Sequence, residues 1–307
     1  MVLATKKPGF MPGFLISRGM DPITKVEYCL LESTSSVEEF LKSTFNATSS
    51  KLKKYFDKSF LSRSMKAHST LSLPLNFVND GLINPDYIGP FIPSLYEDEN
   101  FLVLDKPANL FVHPLVYEEK NNCLSFLRQK QSSLLLVNRT HYDRGLLYRL
   151  DFETSGVLVY VKNDLAYTLL RENFKTVAKR KIYLCRVEGE CHLTGSFSHS
   201  FSSSEARGKR VVVGELNELA GDKGELSLRA ISFDGVTNTT LMEVVLKSGL
   251  RHQIRAQLAF LGFPLRGDKF YGGQQAERLY LHAQTYEIEY VGKRFQFHSS
   301  PNSFNGL

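Results

Sequence analysis

Polar and apolar residues first fall into a helical rhythm near residue 35. In SSVEEFLKSTF, Val37, Phe40 and Leu41 share one face, and Ser35 and Ser36 each stand three residues before a glutamate, the signature of a capped helix start. TSSKLKKYF repeats the arrangement, with Leu52, Tyr55 and Phe56 at helical spacing and lysines opposite. Residues 1–33 carry no strong period and predict a loosely packed N-terminal extension, and the two helices predict a small module over 34–90. Pro85, Pro90 and Pro93 make residues 84–94 the predicted linker. From there to 307 the rhythm changes. NFLVLDKP reads as a strand stopped by Pro107, NNCLSFLRQKQ as a helix, and GVLVYVKN as a buried strand. DLAYTLLRENFK reads as a helix with Asp164 as its N-cap. KIYLCRVEGE, ELSLRAISFDG and TTLMEVVLKSG predict strands. LRHQIRAQLAFLG predicts a helix closed by Gly262, and RLYLHAQTYEIEYVGKRFQFHSS two final strands. Strands outnumber helices without regular alternation, so the expected class is α+β around a mixed, largely antiparallel sheet.

With 42% apolar and 23% charged residues in 307, the composition is that of an ordinary globular chain. No apolar run approaches the roughly 18 residues needed to span a bilayer. MVLATKKPGFMPGF lacks the apolar region of a secretory signal, and the expected location is cytoplasmic. Cys29, Cys123, Cys185 and Cys191 are scattered without a C-x-x-C pair, which predicts free thiols, no disulfide framework and no zinc site. A formal net charge of +6 favours an anionic partner only weakly. Its distribution says more. Between residues 51 and 66 lie Lys51, Lys53, Lys54, Lys58, Arg63 and Lys66 against the single acid Asp57, either a phosphate-binding face or a solvated one.

Candidate chemistry sits in LLYRLDFETSGVLVYVKN, where Arg149 and Asp151 are two apart at the lip of a strand. The turn that follows holds Thr154, Ser155 and Gly156, and a glycine there permits positive φ or close backbone approach. Such a layout holds an acid rigidly at a strand end; a surface Arg149–Asp151 pair, worth little, is the plainer alternative. In GLRHQIRAQLAFLGFPLRGDKFYGG, a helix from Arg251 to Leu261 would put Arg251 and Arg255 on one face, where one could neutralise Asp151. His252 and Gln253 have no second ligand at metal spacing. Lys181 and Tyr183 share a face of their strand.

Together these segments resemble the RluA family of pseudouridine synthases, which act on large-subunit ribosomal RNA and transfer RNA. YRLDFETSG is similar to the family's H-R-L-D-x-x-T-S-G, and KIYLCRVEG to its K-x-Y-x-A-x-V-x-G. GLRHQIRAQLAFLGFPLRGDKFYG is similar to its G-R-T-H-Q-I-R-x-H-L-x-x-x-G-x-P-x-x-G-D-x-x-Y-G. LYEDENFLVLDKPANLFVHP resembles its opening strand and turn, and Leu281–His282–Ala283 its late strand. The motifs run in the family's order from residue 95 almost to the C-terminus. More weakly, the two-helix module resembles an S4-type RNA-binding domain. Tyr148 stands where the family usually has His, Asn109 where it has Gly, Cys185 where it has Ala, Gln257 where it has His, and Leu250–Arg251 where it has Arg-Thr. Asn109 is physically benign, since Asn tolerates a left-handed turn.

The resemblance implies an isomerase that breaks the N1–C1′ bond of uridine, turns the uracil and rejoins it through C5, with no cofactor and no metal. It implies catalytic roles for Asp151, Tyr183 and Arg255: the acid acting at the sugar, the arginine holding that acid charged, the tyrosine stacking on the target base and assisting proton removal from C5. It implies substrate contacts from Arg149, Thr154, Lys181, His252 and Gln253, and RNA contacts from Lys51, Lys53, Lys54 and Lys58. The implied partner is structured RNA, ribosomal or transfer, and the expected state is a monomer away from membranes. Two alternatives stand beside this: an inactive RNA-binding or assembly factor on the same fold, and a glycoside hydrolase, for which no second carboxylate motif is evident.

Overall fold

The computed structural model describes residues 25–304 other than 46, 80–82, 140, 204–209, 217, 219–220 and 302–303. The expected extension therefore lies, over 1–24, outside the described residues. The chain divides into two compact units, one of residues up to 82 with 115–118 and one of 83–114 with 119 onward.

The first unit runs β1 (Lys25–Cys29), α1 (Val37–Phe45), α2 (Ser49–Tyr55), α3 (Lys58–Leu61), β2 (Thr70–Pro74) and α4 (Leu75–Asn79). Both predicted helices are present and capped by hydroxyls: Ser36 Oγ accepts from the Glu39 N–H at 3.2 Å, and Thr48 Oγ1 from the Lys51 N–H at 3.1 Å. Val37, Leu41 and Leu52 bury their apolar face with Phe77. Residues 25–30 correct the expectation of a loose extension through 33. KVEYC pairs antiparallel with β2, Val26 and Tyr28 pack inward, and Leu30 is fully buried. Five alternating residues were too few to stand out as a period.

The second unit starts before the predicted linker ends. Ile83 and Ile92 flank the proline-rich stretch and are buried in this unit's core, so those prolines lie within it. Its elements are β3 (Ser94–Glu97), β4 (Phe101–Lys106), α5 (Cys123–Lys130), β5 (Ser155–Val161), α6 (Asp164–Glu172), α7 (Phe174–Val177), β6 (Ala178–Glu188), β7 (Thr194–Ser203), β8 (Val211–Gly214), β9 (Asp222–Asp234), β10 (Thr239–Leu246), α8 (Gln253–Phe260), β11 (Leu281–Tyr290) and β12 (Lys293–His298). One sheet has the order β3-β4-β5-β11-β6-β10-β9-β7-β8, with β12 on β11. Every neighbouring pair is antiparallel except β5 and β11, which run parallel. This is the α+β class with the largely antiparallel mixed sheet that the pattern predicts.

β5 explains why its sequence has no polar face. Successive strand residues point to opposite sides; Leu158 and Tyr160 enter one core, Val157, Val159 and Val161 the other, and all seven positions are buried. Two local expectations are corrected. α6 is capped by Asn163, whose Oδ1 accepts from the Ala166 N–H at 2.8 Å. Asp164 is instead the first helical residue, where its charge suits the helix dipole. α8 begins at Gln253, because His252 adopts a left-handed backbone (φ 52°). Arg251 therefore precedes the helix and shares no helical face with Arg255.

Candidate active site

Asp151 stands in the turn that delivers the chain into β5, with its side chain 28% exposed. The Thr154 N–H closes that turn on the Asp151 carbonyl at 3.2 Å, and the Leu110 N–H bonds the Phe152 carbonyl at 3.1 Å. Beneath lies Lys106, fully buried at the end of β4. Its ammonium donates to the carbonyls of Pro107 at 2.9 Å, Leu110 at 2.8 Å and Phe152 at 3.1 Å. Burial pushes the Lys106 pKa down to about 8, an effect partly offset by neighbouring acids that include Asp151. Asn109 in the same crossing has φ 58°, the left-handed turn that its side chain tolerates. Gly156 meets both requirements anticipated for it: its φ is 110°, and a Cβ there would collide with the Ala283 carbonyl where β5 meets β11.

From α8, Arg255 reaches the acid. Nη1 lies 3.4 Å from Asp151 Oδ2 and 3.3 Å from Glu153 Oε2. The other side of the guanidinium is held by the wholly buried Asp268, through Nε–Oδ2 at 2.8 Å and Nη2–Oδ1 at 2.9 Å. Burial works against the Arg255 charge, but the hydrogen bonds and charge of Asp268, with Asp151 and Glu153, outweigh it and raise its pKa. Phe270 and Tyr271 flank the cation at 5.4 and 5.7 Å. His252 places Nε2 3.9 Å from Asp151 Oδ2 and Nδ1 3.0 Å from the Tyr271 hydroxyl.

Tyr183, on β6, is buried to 8% exposure. Burial and then the charge of Asp151 raise its pKa, so it remains a neutral phenol. It can stack or donate a hydrogen bond, but a phenolate base is not available from it at neutral pH. Tyr148, in the position usually held by His, stacks on Tyr286 at 4.1 Å with planes 9° apart and donates to the Val157 carbonyl at 2.8 Å. It is a half-buried brace between the two cores.

The remaining expected contacts divide. Arg149 is exposed and turns toward Tyr142, donating to its hydroxyl at 2.9 Å. Thr154 is buried and serves the turn. Lys181 donates to the Ser248 carbonyl at 2.9 Å. Gln253, also expected at the substrate, makes its hydrogen bonds within the protein. It is buried, its Oε1 accepts from Ser248 Oγ at 2.8 Å and the Leu250 N–H at 3.1 Å, and its amide donates to Glu225 O and Gln257 Oε1. Those bonds hold the loop that enters α8. In the first unit Lys53, Lys54 and Lys58 are exposed, and Lys51 leans over the Phe77 ring at 5.1 Å. Sequence reasoning missed Lys106, Glu153 and Asp268. The one available signal was the FET of FETSG, where a second carboxylate follows Asp151 by two residues and meets the same guanidinium nitrogen. Among the described residues no group of three or more His, Cys, Asp or Glu is placed to hold a metal ion, and no helix is long and apolar enough to cross a membrane.

Residues 100–260, just over half of the chain, match the family model described as RNA pseudouridylate synthase. The chain belongs to that family. Its pseudouridine synthase relatives include ribosomal large subunit pseudouridine synthase D of Borreliella burgdorferi, 30% identical over 207 residues and covering 66% of this chain and 62% of the relative. The enzyme of the same name from Buchnera aphidicola is 28% identical over 184 residues, covering 60% of this chain and 55% of the relative. The chain thus spans between about half and two thirds of the length of these curated relatives. Human RNA pseudouridylate synthase domain containing 1 shares the fold at a TM-score of 0.58 and 19% identity, covering 69% of this chain and 84% of that one.

Proposed function

We propose that the protein isomerises uridine to pseudouridine in structured RNA, with Asp151 as the catalytic carboxylate. The supporting observation is Asp151, 28% exposed, held against Arg255, which is 1% exposed and paired with the buried Asp268. A carboxylate so placed has a cation on one side and is open on the other. A base inside a stem is out of its reach, so the uridine must leave its stack. With the ribose beside Asp151, the N1–C1′ bond breaks in one of two ways. The carboxylate attacks C1′, forming an ester bond that breaks again when C5 of the turned uracil bonds C1′. Alternatively, it removes the C2′ proton and returns it when that bond forms. The proton lost from C5 is balanced by the one gained at N1. Tyr183, a neutral phenol within electrostatic reach of the acid, is the residue for the target base to stack on. Arg149 and its partner Tyr142 stand exposed next to Asp151 in sequence, suited to the space vacated by the base or to a neighbouring phosphate.

Ribosomal RNA is the first substrate to test, since the named relatives are ribosomal large subunit enzymes. The first unit is proposed as an S4-like RNA-binding module whose exposed lysines meet phosphates. The protein is proposed to act as a cytoplasmic monomer without a cofactor, its thiols free; Cys123, Cys185 and Cys191 are buried and unpaired.

The deciding experiment supplies wild type and Asp151→Asn with RNA from a strain lacking the protein. The amide keeps the shape but not the charge, and phosphate contacts dominate affinity. Conversion should vanish while binding stays within a few fold. Full conversion by Asp151→Asn would remove Asp151 from the chemistry, and no conversion by wild type, with binding retained, would make the protein a binder.

A further inference from the structure

Resting on that reading of Asp151, we infer that Tyr271 and His252 form a fixed donor pair that positions the catalytic carboxylate, with His252 presenting Nε2–H to Asp151. The direction of the pair is part of the inference, and the hydrogen bonds around it are compatible with it. The Val211 N–H donates to the Tyr271 hydroxyl oxygen at 3.0 Å. Its own O–H is assigned to His252 Nδ1, 3.0 Å away, so that the hydroxyl accepts from the backbone and donates to the ring. Nδ1 is then an acceptor, and the ring proton of a neutral imidazole resides on Nε2. That nitrogen faces Asp151 Oδ2 at 3.9 Å.

Three further observations suit the role. His252 has a left-handed backbone (φ 52°) directly before α8, a conformation that non-glycine residues hold only when the surroundings enforce it. Its ring lies nearly parallel to Phe270, 17° between planes, which fixes the plane of the donor. Burial keeps the imidazole neutral, with Arg255 and Arg251 adding to that effect and Asp151 and Glu153 opposing it. The separation of 3.9 Å is longer than a hydrogen bond, as expected of a site without its substrate, where such contacts tighten in the complex. Arg255 and Glu153 lie on the same carboxylate assembly, and Lys106 and Tyr183 lie within its electrostatic reach. Arg255 supplies charge to Asp151; His252 supplies direction, by taking the lone pair that would otherwise let the carboxylate rotate.

The test has two arms. Imidazole nitrogen NMR on the RNA-free protein should show His252 as the Nε2–H tautomer, and Tyr271→Phe should release it to a mixture. A wild-type Nδ1–H tautomer overturns the inference whether or not the protein is active. In the kinetic arm, His252→Ala should lower kcat on RNA by about tenfold or more, the scale of one hydrogen bond to a charged group, with KM within about twofold. His252→Gln, whose amide nitrogen reaches the place of Nε2, should recover most of that loss, and His252→Asn should not. A folded His252→Gln as slow as His252→Ala, or an effect confined to KM, overturns the positioning role. An inactive wild type fails the proposed function instead, and the tautomer then decides this inference alone.

Discussion

Asp268→Asn is the sharpest probe of the assembly behind Asp151. The two side chains have nearly the same volume, so packing hardly changes. Oδ1 accepts from Arg255 Nη2 at 2.9 Å, the Phe270 N–H at 3.0 Å and the Tyr271 N–H at 3.2 Å, and Oδ2 accepts from Arg255 Nε at 2.8 Å. Each oxygen faces at least one donor. Whichever becomes the amide nitrogen, flipping the group cannot avoid placing N–H against N–H. Water cannot relieve the clash, because Asp268 is 0% and Arg255 1% exposed. Breaking a buried ion pair from one side costs about 3–5 kcal/mol. Since the amide keeps one acceptor oxygen, and Arg255 retains long contacts to Asp151 and Glu153, a loss near 3 kcal/mol is expected. Urea unfolding of the full chain, followed by far-UV circular dichroism, measures it. A loss below about 1 kcal/mol would show that the guanidinium does not depend on Asp268. The double variant Arg255→Met with Asp268→Leu should regain only part of the stability, because it removes the stranded guanidinium but leaves the Phe270 and Tyr271 N–H groups without their acceptor.

Gly156→Ala should cost at least about 2 kcal/mol in the same assay, combining overpacking with left-handed strain; stability equal to wild type would refute the close approach to Ala283. Gly189→Ala is its control, since φ 79° there meets open space, and about 1 kcal/mol of backbone strain is expected. Lys106 gives a pH signature. Its folded pKa, near 8, lies below the unfolded value, so the unfolded chain binds more protons between the two. The Lys106 contribution should therefore rise with pH from about 8 to about 10.5, by up to about 3 kcal/mol. It is read as the difference between wild type and Lys106→Met, because the buried Cys123 and Cys185 thiols, whose pKa values burial raises, act in the opposite direction. Lys106→Met should lack that rise, and parallel pH profiles for the two proteins would contradict the burial argument. Changing Lys53, Lys54 and Lys58 together to Ala should flatten the dependence of log affinity on log salt by about 2 units; an unchanged slope would give the first unit a role other than phosphate contact.

Where signals were periodic or motif-borne they could be read directly. SGVLVYV announced a buried strand, and the fixed spacings around Asp151 and Arg255 singled out two residues, 104 apart, that the fold brings to 3.4 Å. What stayed hidden depended on three-dimensional company. Lys106 closes an apolar strand, and nothing in LDKP says that its ammonium folds back on three carbonyls. Asp268 sat in a glycine-flanked loop that reads as a polar turn, because its partner Arg255 lies on a different element. β7 escaped because TGSFSHSFSS alternates serine with larger residues and lacks a branched apolar face. Gln253 was expected at the substrate from its place in the motif, and its bonds to Ser248, Leu250 and Glu225 were not legible because those partners lie outside its helix. The start of α8 was misplaced for a related reason: nothing in RHQIR marks the left-handed His252.

The parallel junction of β5 and β11 bears on how this chain folds. The strands touch through only two register pairs, Ser155 with His282 and Ala283 with Gly156, while β6, β10 and α8 are all built from the chain between. A hairpin such as β9–β10 can zip from its own turn, but the junction must first overcome the closure entropy of a very long loop, the kind of contact that slows folding. Asp151 lies at one end of that loop and Arg255 within it. The contact between Asp151 and Arg255 spans that same junction. It is a long-range contact that the chain can close only when β5 and α8 are brought onto one sheet.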